Sequence, residues 1–292
     1  MQNADFISIY KGFDAFDCAQ FSIESYQLLE VHMIMKLEQI KEIAADRDSG
    51  VQHFFDKSYS KVYGELLNIE VDAQVKFLLN NYLTGPSSIN YQILDLCCGT
   101  GRHLQKLSDL GYSLDGVDIN PEAVAAARDK LINGRIYLDD VQYFCPNKKY
   151  DLIYCMESSI GYLPDFKTID IFRNISKELL SDQGVFVLHL TNREYLLREM
   201  GRRMWFGNSK SGYVLEDRSL DLKEGLLTIN QIRIIDGVSK KYSVDLRLYS
   251  LRELKLMLRE GGLTVRKVYG DYNNNTYDVH SPYLLVECIK SE

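Results

Sequence analysis

Tyr91-Gln92-Ile93-Leu94-Asp95-Leu96-Cys97-Cys98-Gly99-Thr100-Gly101-Arg102-His103 decides how the rest of the chain is read. A short apolar run ends in a glycine-rich turn, and helical spacing begins at once from His103 to Leu110, so the stretch reads as strand, loop, helix. Toward the C-terminus the alternation repeats. Strands are predicted over 113–117, 135–138, 151–156 and 184–190, and helices over 121–130 and 166–180. Near-continuous apolar strands separated by helices predict a mostly parallel sheet covered on both faces, a doubly wound α/β fold.

Farther out the pattern changes. Upstream, Ile23 to Ala45 carries apolar residues at helical spacing (Ile23, Tyr26, Leu29, Met33, Leu37, Ile40, Ala44), a packing face suited to a lid or a homodimer surface. A second helical stretch covers Gln52 to Leu83 and stops at Gly85-Pro86. Downstream, a helix is expected over 195–204, then β-type residues from Tyr213 to Tyr249 cut by Lys223-Glu224-Gly225 and Asp236-Gly237, an antiparallel insertion. A helix over 251–260, stopped by Gly261-Gly262, and strands over 264–269 and 283–289 close the chain. The expected division is 1–85 as helical cover, 86–192 as α/β core, 193–250 as substrate-side insertion and 251–292 as completion of the core.

Composition limits the function. With 46% hydrophobic and 26% charged residues over 292 positions, the chain is globular rather than disordered or a membrane bundle. Its net charge of −7 has the wrong sign for holding nucleic acid, and the mixed charges of the first helix argue against an anionic membrane surface. Six cysteines without a CxxC pair and five histidines without HxxxH spacing predict no metal site. The start, MQNADFISIY, lacks the basic and apolar regions of a signal peptide, so a cytoplasmic protein with reduced thiols is expected.

In an open parallel sheet the ligand crevice lies beyond the carboxyl ends of the central strands, where Asp95 to Gly101 falls. Gly99 and Gly101 let the backbone turn and approach a ligand. The second strand ends in Gly116-Val117-Asp118, a carboxylate placed to accept ribose hydroxyls. A dinucleotide fingerprint would need a third glycine where Leu104 stands, and Asp95 would repel a pyrophosphate. The ligand is therefore expected to be cationic at that end.

These residues resemble the class I methyltransferases that use S-adenosylmethionine, particularly bacterial small-molecule members, and the likeness covers Tyr91 to Leu190. The resemblance implies a seven-stranded Rossmann-like methyltransferase sheet. It also implies a glycine loop (Asp95, Cys97, Gly99, Gly101, Arg102, His103) that passes the amino-acid part of the cofactor, and Asp118 with Ile119 at the ribose. Asp140 and Val141 would bind the adenine, with Asp139 the competing acid. Met156, Glu157 and Tyr162, in the string after Tyr150-Asp151-Leu152-Ile153-Tyr154, would lie beside the transferable methyl. The aromatic segment around Tyr59 and Tyr63 resembles the part that covers the cofactor in such enzymes. Methyl transfer to nitrogen or oxygen of a small molecule is the expected activity, with His189, Tyr162 and Glu157 as candidate bases and Asn192, Arg193 and Tyr249 on the substrate side. Two other readings stay open: attack on another carbon of the cofactor, by aminocarboxypropyl transfer or a cyclisation that releases methylthioadenosine, and a non-catalytic sensor.

Overall fold

The computed structural model describes residues 50–199 and 201–291. The amphipathic helix expected over 23–45 lies outside them. The described chain forms two compact units, one of 66–196 with 247–291, the other of 50–65 with 197–246.

The first unit is the α/β core. Its strands are β1 (Ile93–Leu96), β2 (Leu114–Asp118), β3 (Gly134–Leu138), β4 (Tyr150–Cys155), β5 (Leu180–Thr191), β10 (Leu263–Tyr269) and β11 (Tyr283–Lys290), in the order β10-β11-β5-β4-β1-β2-β3. β1 pairs in parallel with both β2 and β4, β4 with β5, and β11 enters antiparallel between β5 and β10. Period-2 alternation sends neighbouring residues to opposite faces. Leu94, Leu96, Ile153, Phe186 and Leu188 pack with Ile171 and Phe172 of α5 (Asp165–Asn174) and with Leu254 and Leu258 of α7 (Leu251–Glu260). On the other face Ile93, Leu114, Leu152 and Val187 meet Val71, Val75 and Leu78 of α2 (Lys57–Tyr82), Leu104 and Leu107 of α3 (Arg102–Asp109), and Val124 and Ala127 of α4 (Pro121–Arg128). The result is a helix–sheet–helix sandwich whose direction reverses beside β1, the position that opens a crevice at the strand tips.

The second unit is an antiparallel sheet, β6 (Arg203–Asn208), β7 (Gly212–Asp221), β8 (Leu226–Ile235) and β9 (Val238–Arg247), in sequence order. It also contains α1 (Gly50–Phe54) and the first residues of α2.

Two local expectations need correction. The helix expected over 52–83 is two helices, because the Asp56 carboxylate accepts the amide hydrogens of Ser58 and Tyr59 and so starts α2 afresh. The helix expected over 195–204 stops as α6 (Arg193–Glu199), and Met204, Trp205 and Phe206 pair with Glu216, Leu215 and Val214 as a strand. Cross-strand pairing of aromatic and apolar side chains overrides the weak helical spacing there. α2 divides between the two units, with Lys57 to Glu65 in one and Leu66 to Tyr82 in the other. Among the described residues no helix is long and apolar enough to cross a membrane.

Candidate functional site

The carboxyl end of β1 is a loop held by its own backbone. Cys98 N–H donates to the Val117 carbonyl (3.0 Å) and Gly101 N–H to that of Cys98 (3.0 Å). Cys97, Gly99 and Gly101 all take left-handed φ values, 63°, 52° and 73°. A Cβ at Gly101 would stand 2.9 Å from that of Ala127, so this glycine lets α4 approach; at Gly99 a Cβ would meet nothing within 4 Å. The Asp118 carboxylate ties the loop to the β2–α4 turn by accepting from Gly99 N–H (2.8 Å) and Asn120 N–H (2.9 Å), one on each oxygen. The Ile119 N–H is a third backbone donor to this carboxylate, whose two oxygens offer about four acceptor sites and so leave room for one more. Beside it Ile119 and, at the tip of β3, Leu138 expose apolar side chains.

Asp95 is buried, and burial pushes its carboxyl well above the usual carboxylate range; the Asp118 charge adds to this, while the Tyr154 hydroxyl and Arg102 oppose it. Arg102, at the first turn of α3, has a buried Nη1 without a hydrogen-bond partner. A buried cationic donor left unpaired is costly, and an anionic ligand group would relieve it. An acid, an unpaired guanidinium and a carboxylate at the next strand tip therefore surround one loop. That set fits the ammonium, carboxylate and ribose of S-adenosylmethionine.

Next to the loop lies a buried polar network, with members from five places in the core. Gln74 of α2 is its hub. The Gln74 Oε1 lies 2.6 Å from His103 Nε2, and its Nε2 donates to Glu157, to Tyr272 Oη (2.9 Å) and more weakly to Glu70 (3.4 Å). Tyr283 donates to Glu70 (3.2 Å). Burial and then the Glu157 charge push the Glu70 carboxyl up to about 8, with Tyr283 and Arg102 opposing. Burial pulls His103 down to about 3, aided by Arg102 and His189. Glu157 and Ser158, just past β4, both hold left-handed φ values of 60° and 58°, a strain that non-glycine residues adopt only where surroundings impose it.

Several expected residues fall at this site: Asp95, Cys97, Gly99, Gly101, Arg102, His103, Asp118 and Ile119 along the loop and the β2 tip, and Met156 and Glu157 at the β4 tip. Asp140 accepts from the Gln142 amide N–H (2.9 Å) at the start of a turn that buries Val141, while Asp139 is exposed. Tyr162 ends a short 3-10 turn, Ser159–Tyr162, and is half-buried. His103 is buried and bonded to Gln74 rather than facing solvent.

Other placements differ from expectation. His189 was expected to act as a base, but its Nδ1 accepts the Glu157 N–H (3.0 Å), which leaves the ring proton on Nε2, 3.4 Å from Tyr272 Oη. Burial also lowers its pKa, so no nitrogen is available to take a proton. Asn192 was expected to meet substrate; instead it is fully buried, donates to the carbonyls of Asp278 (2.9 Å) and Ser281 (2.7 Å), and caps α6 through Glu194 N–H (3.0 Å). Arg193 pairs with Glu253 (3.3 Å), and Tyr249 is enclosed in the core under the Arg247 guanidinium. Tyr59 and Tyr63 belong to the second unit, where their rings stack at 4.4 Å and the Tyr63 hydroxyl donates to Glu216 (2.6 Å) and accepts from Gln231 (2.6 Å).

Glu70, Gln74 and Tyr283 were missed, while the string Tyr269-Gly270-Asp271-Tyr272 resembles amine and hydroxyl methyltransferases in sequence. A signal for the first two existed, since Glu70 and Gln74 recur at i, i+4 inside the apolar series Val71, Val75, Leu78 and so were bound to be carried inward with it. Nothing local marks Tyr283, which reaches the site through the pairing of β11.

A sheet of this strand order, with a glycine loop after its central strand and an acid at the next tip, is the fold of the class I S-adenosylmethionine-dependent methyltransferases. Residues 93–184 match the family model described as a methyltransferase domain. The dTDP-3-amino-3,6-dideoxy-alpha-D-glucopyranose N,N-dimethyltransferase of Streptomyces fradiae is 31% identical over 78 residues, 27% of this chain and 31% of that protein. Malonyl-[acyl-carrier protein] O-methyltransferase 1 of Ilyobacter polytropus is 29% identical over 149 residues, 49% of this chain and 46% of that protein. The chain thus spans less than half the length of these curated relatives. A crystal structure of an S-adenosylmethionine-dependent methyltransferase from Clostridium acetobutylicum superposes with a TM-score of 0.68 at 18% identity, covering 79% of this chain and 96% of that one. The CcbJ methyltransferase of Streptomyces caelestis gives 0.67 at 19% identity, covering 80% and 98%.

Proposed function

We propose that this chain is an enzyme that transfers the methyl group of S-adenosylmethionine to a small molecule, with nitrogen as the acceptor atom. The carrying observation is the set of charges around the glycine loop: Arg102 with its unpaired buried donor, Asp95 in the strand that leads into the loop, and Asp118 at the next strand tip. Arg102 would hold the carboxylate of the cofactor, Asp95 its ammonium group and Asp118 the ribose. An ammonium beside Asp95 offsets the burial that raises its pKa. Ile119, Asp140 and Val141 would border the adenine. When bound, the cofactor would supply a methyl carbon made electrophilic by a positively charged sulfur, which departs as a neutral thioether without acid assistance. The chain's own task is then to orient the acceptor, exclude water and remove one proton.

Two observations support nitrogen over oxygen. Two carboxyl groups, Glu70 and Glu157, meet in the network beside the loop, and a relative is named as an amino-sugar N,N-dimethyltransferase. Calorimetry with S-adenosylmethionine tests the cofactor assignment. Asp118→Ala, which removes charge-assisted hydrogen bonds of about 1.5–3 kcal/mol each, is expected to weaken binding at least about tenfold; unchanged affinity overturns the ribose assignment. Product analysis tests the reaction: S-adenosylhomocysteine is expected, and methylthioadenosine in its place would overturn methyl transfer.

A further inference from the structure

We propose that Glu70 is a positioning residue: it and Glu157 hold one proton between them across Gln74, and this leaves Glu157 as the group that takes the acceptor's proton. The catalytic half of this inference rests on the methyl-transfer reading; the proton itself follows from two carboxyl groups meeting at one amide nitrogen. The Gln74 amide nitrogen carries two hydrogens but faces three oxygens, those of Glu157, Tyr272 (2.9 Å) and Glu70 (3.4 Å). Its orientation is fixed at the other end, where Oε1 accepts from His103 Nε2. Reversing the amide would aim its oxygen at two carboxyl groups. With both carboxyl groups ionised, two buried like charges would converge on one amide; a proton on one of them removes that repulsion.

The groups facing the pair locate that proton. Arg102 is the cation near Glu70, and it also faces Asp95. His103 and His189 are kept neutral by burial. Tyr283 donates to Glu70, and Tyr272 lies between Gln74 and His189. Glu70 is the more buried carboxyl and Glu157 the half-buried one, so Glu70 keeps the proton and Glu157 the charge. A neutral Glu70 accepts the weakest of the three bonds and leaves the Gln74 hydrogens to hold Glu157 in place.

In the transfer, an N–H bond of a protonated amine breaks, its electron pair stays on nitrogen as the nucleophile, and the proton bonds to a Glu157 oxygen. The pair then holds two protons, and the half-buried Glu157 returns one to solvent. His189 takes no part because its acceptor nitrogen already receives the Glu157 N–H.

The test is a carbon-13 carboxyl NMR titration of the full chain labelled at glutamate. Wild-type protein is expected to show one carboxyl titrating at about 8, a signal absent from Glu70→Gln and moved downward in Glu157→Gln, where the repelling charge is gone. Wild-type titration alone suffices should either variant fail to fold. All glutamates titrating in the ordinary carboxylate range, or a Glu70 signal indifferent to Glu157→Gln, would overturn the shared proton. With an amine acceptor that yields S-adenosylhomocysteine, Glu157→Gln is expected to lower kcat at least tenfold with cofactor affinity retained, and Glu70→Gln to shift the pH profile; an unchanged kcat in Glu157→Gln overturns its role as base. Failure of S-adenosylmethionine to bind would overturn the methyl-transfer reading instead, and the titration would still decide the proton.

Discussion

Gly99 and Gly101 stand in one loop yet answer to different constraints. At Gly101 both the left-handed φ and the 2.9 Å approach to Ala127 forbid a side chain, whereas at Gly99 only φ does, and the space beside it is open. Gly101→Ala is therefore expected to destabilise the fold by about 1–3 kcal/mol, read as a lower denaturant midpoint. Ala127→Gly in the same chain should restore part of that loss by relieving the contact but not the strain. Gly99→Ala should cost stability by about 1 kcal/mol and act chiefly on S-adenosylmethionine affinity, because its methyl group enters the space a ligand would use. Equal effects of the two substitutions on binding would contradict this division. Single residues were also where the sequence was least informative about chemistry. Asp95, Gly99, Gly101 and Asp118 could be found because their roles are set by local spacing on adjoining strand tips. The state of His189 could not, since it depends on a backbone N–H from the neighbouring strand.

Elements carry the site as rigid pieces, and α4 shows how. Its N-cap, Asn120, accepts from Glu122 N–H (2.9 Å) and Ala123 N–H (3.2 Å), with Pro121 fixing the first turn. The same residue's own N–H holds Asp118, so the helix start and the proposed ribose carboxylate share one turn. Asn120→Ala removes the cap but keeps the backbone donor. It should lower stability by about 0.5–2 kcal/mol in chemical denaturation while changing cofactor affinity far less than Asp118→Ala does. A comparable loss of affinity would mean that the cap side chain, rather than the backbone, orders Asp118. Elements were legible in the sequence to the extent that local signals governed them. The strand–loop–helix at Ile93–Asp109, the hairpins at Gly225 and Gly237, and α7 with its Ser250–Glu253 capping box all follow from short-range patterns. The strand at Arg203–Asn208 did not, because its state is decided by pairing with β7. The break at Asp56 was hidden because a single capping carboxylate interrupts an otherwise continuous helical pattern.

At the scale of the whole molecule, the buried acid of the site is linked to the stability of the fold. Burial and the Glu157 charge raise Glu70 in the folded chain to about 8 from its ordinary value of 4.5, so between those values the folded state binds the proton more tightly than the unfolded state. A raised folded pKa means that its stabilising contribution is complete below the unfolded value and is lost as pH rises through the folded one, with a slope of at most about 1.4 kcal/mol per pH unit for one proton. Glu70→Gln, which cannot ionise, lacks this slope. Relative to wild type, the variant should therefore gain stability as pH rises from about 5 to about 8 and gain no more above that, in urea unfolding followed at several pH values. The contribution of His103 runs the other way: its folded pKa is depressed to about 3, so stability is lost as pH falls from its ordinary range toward that value. It is common to both proteins and cancels from the comparison. A wild-type to Glu70→Gln difference that stays flat with pH would mean that Glu70 is ionised in the folded chain at neutral pH, and Glu157 would then not be the lone negative charge on the Gln74 amide.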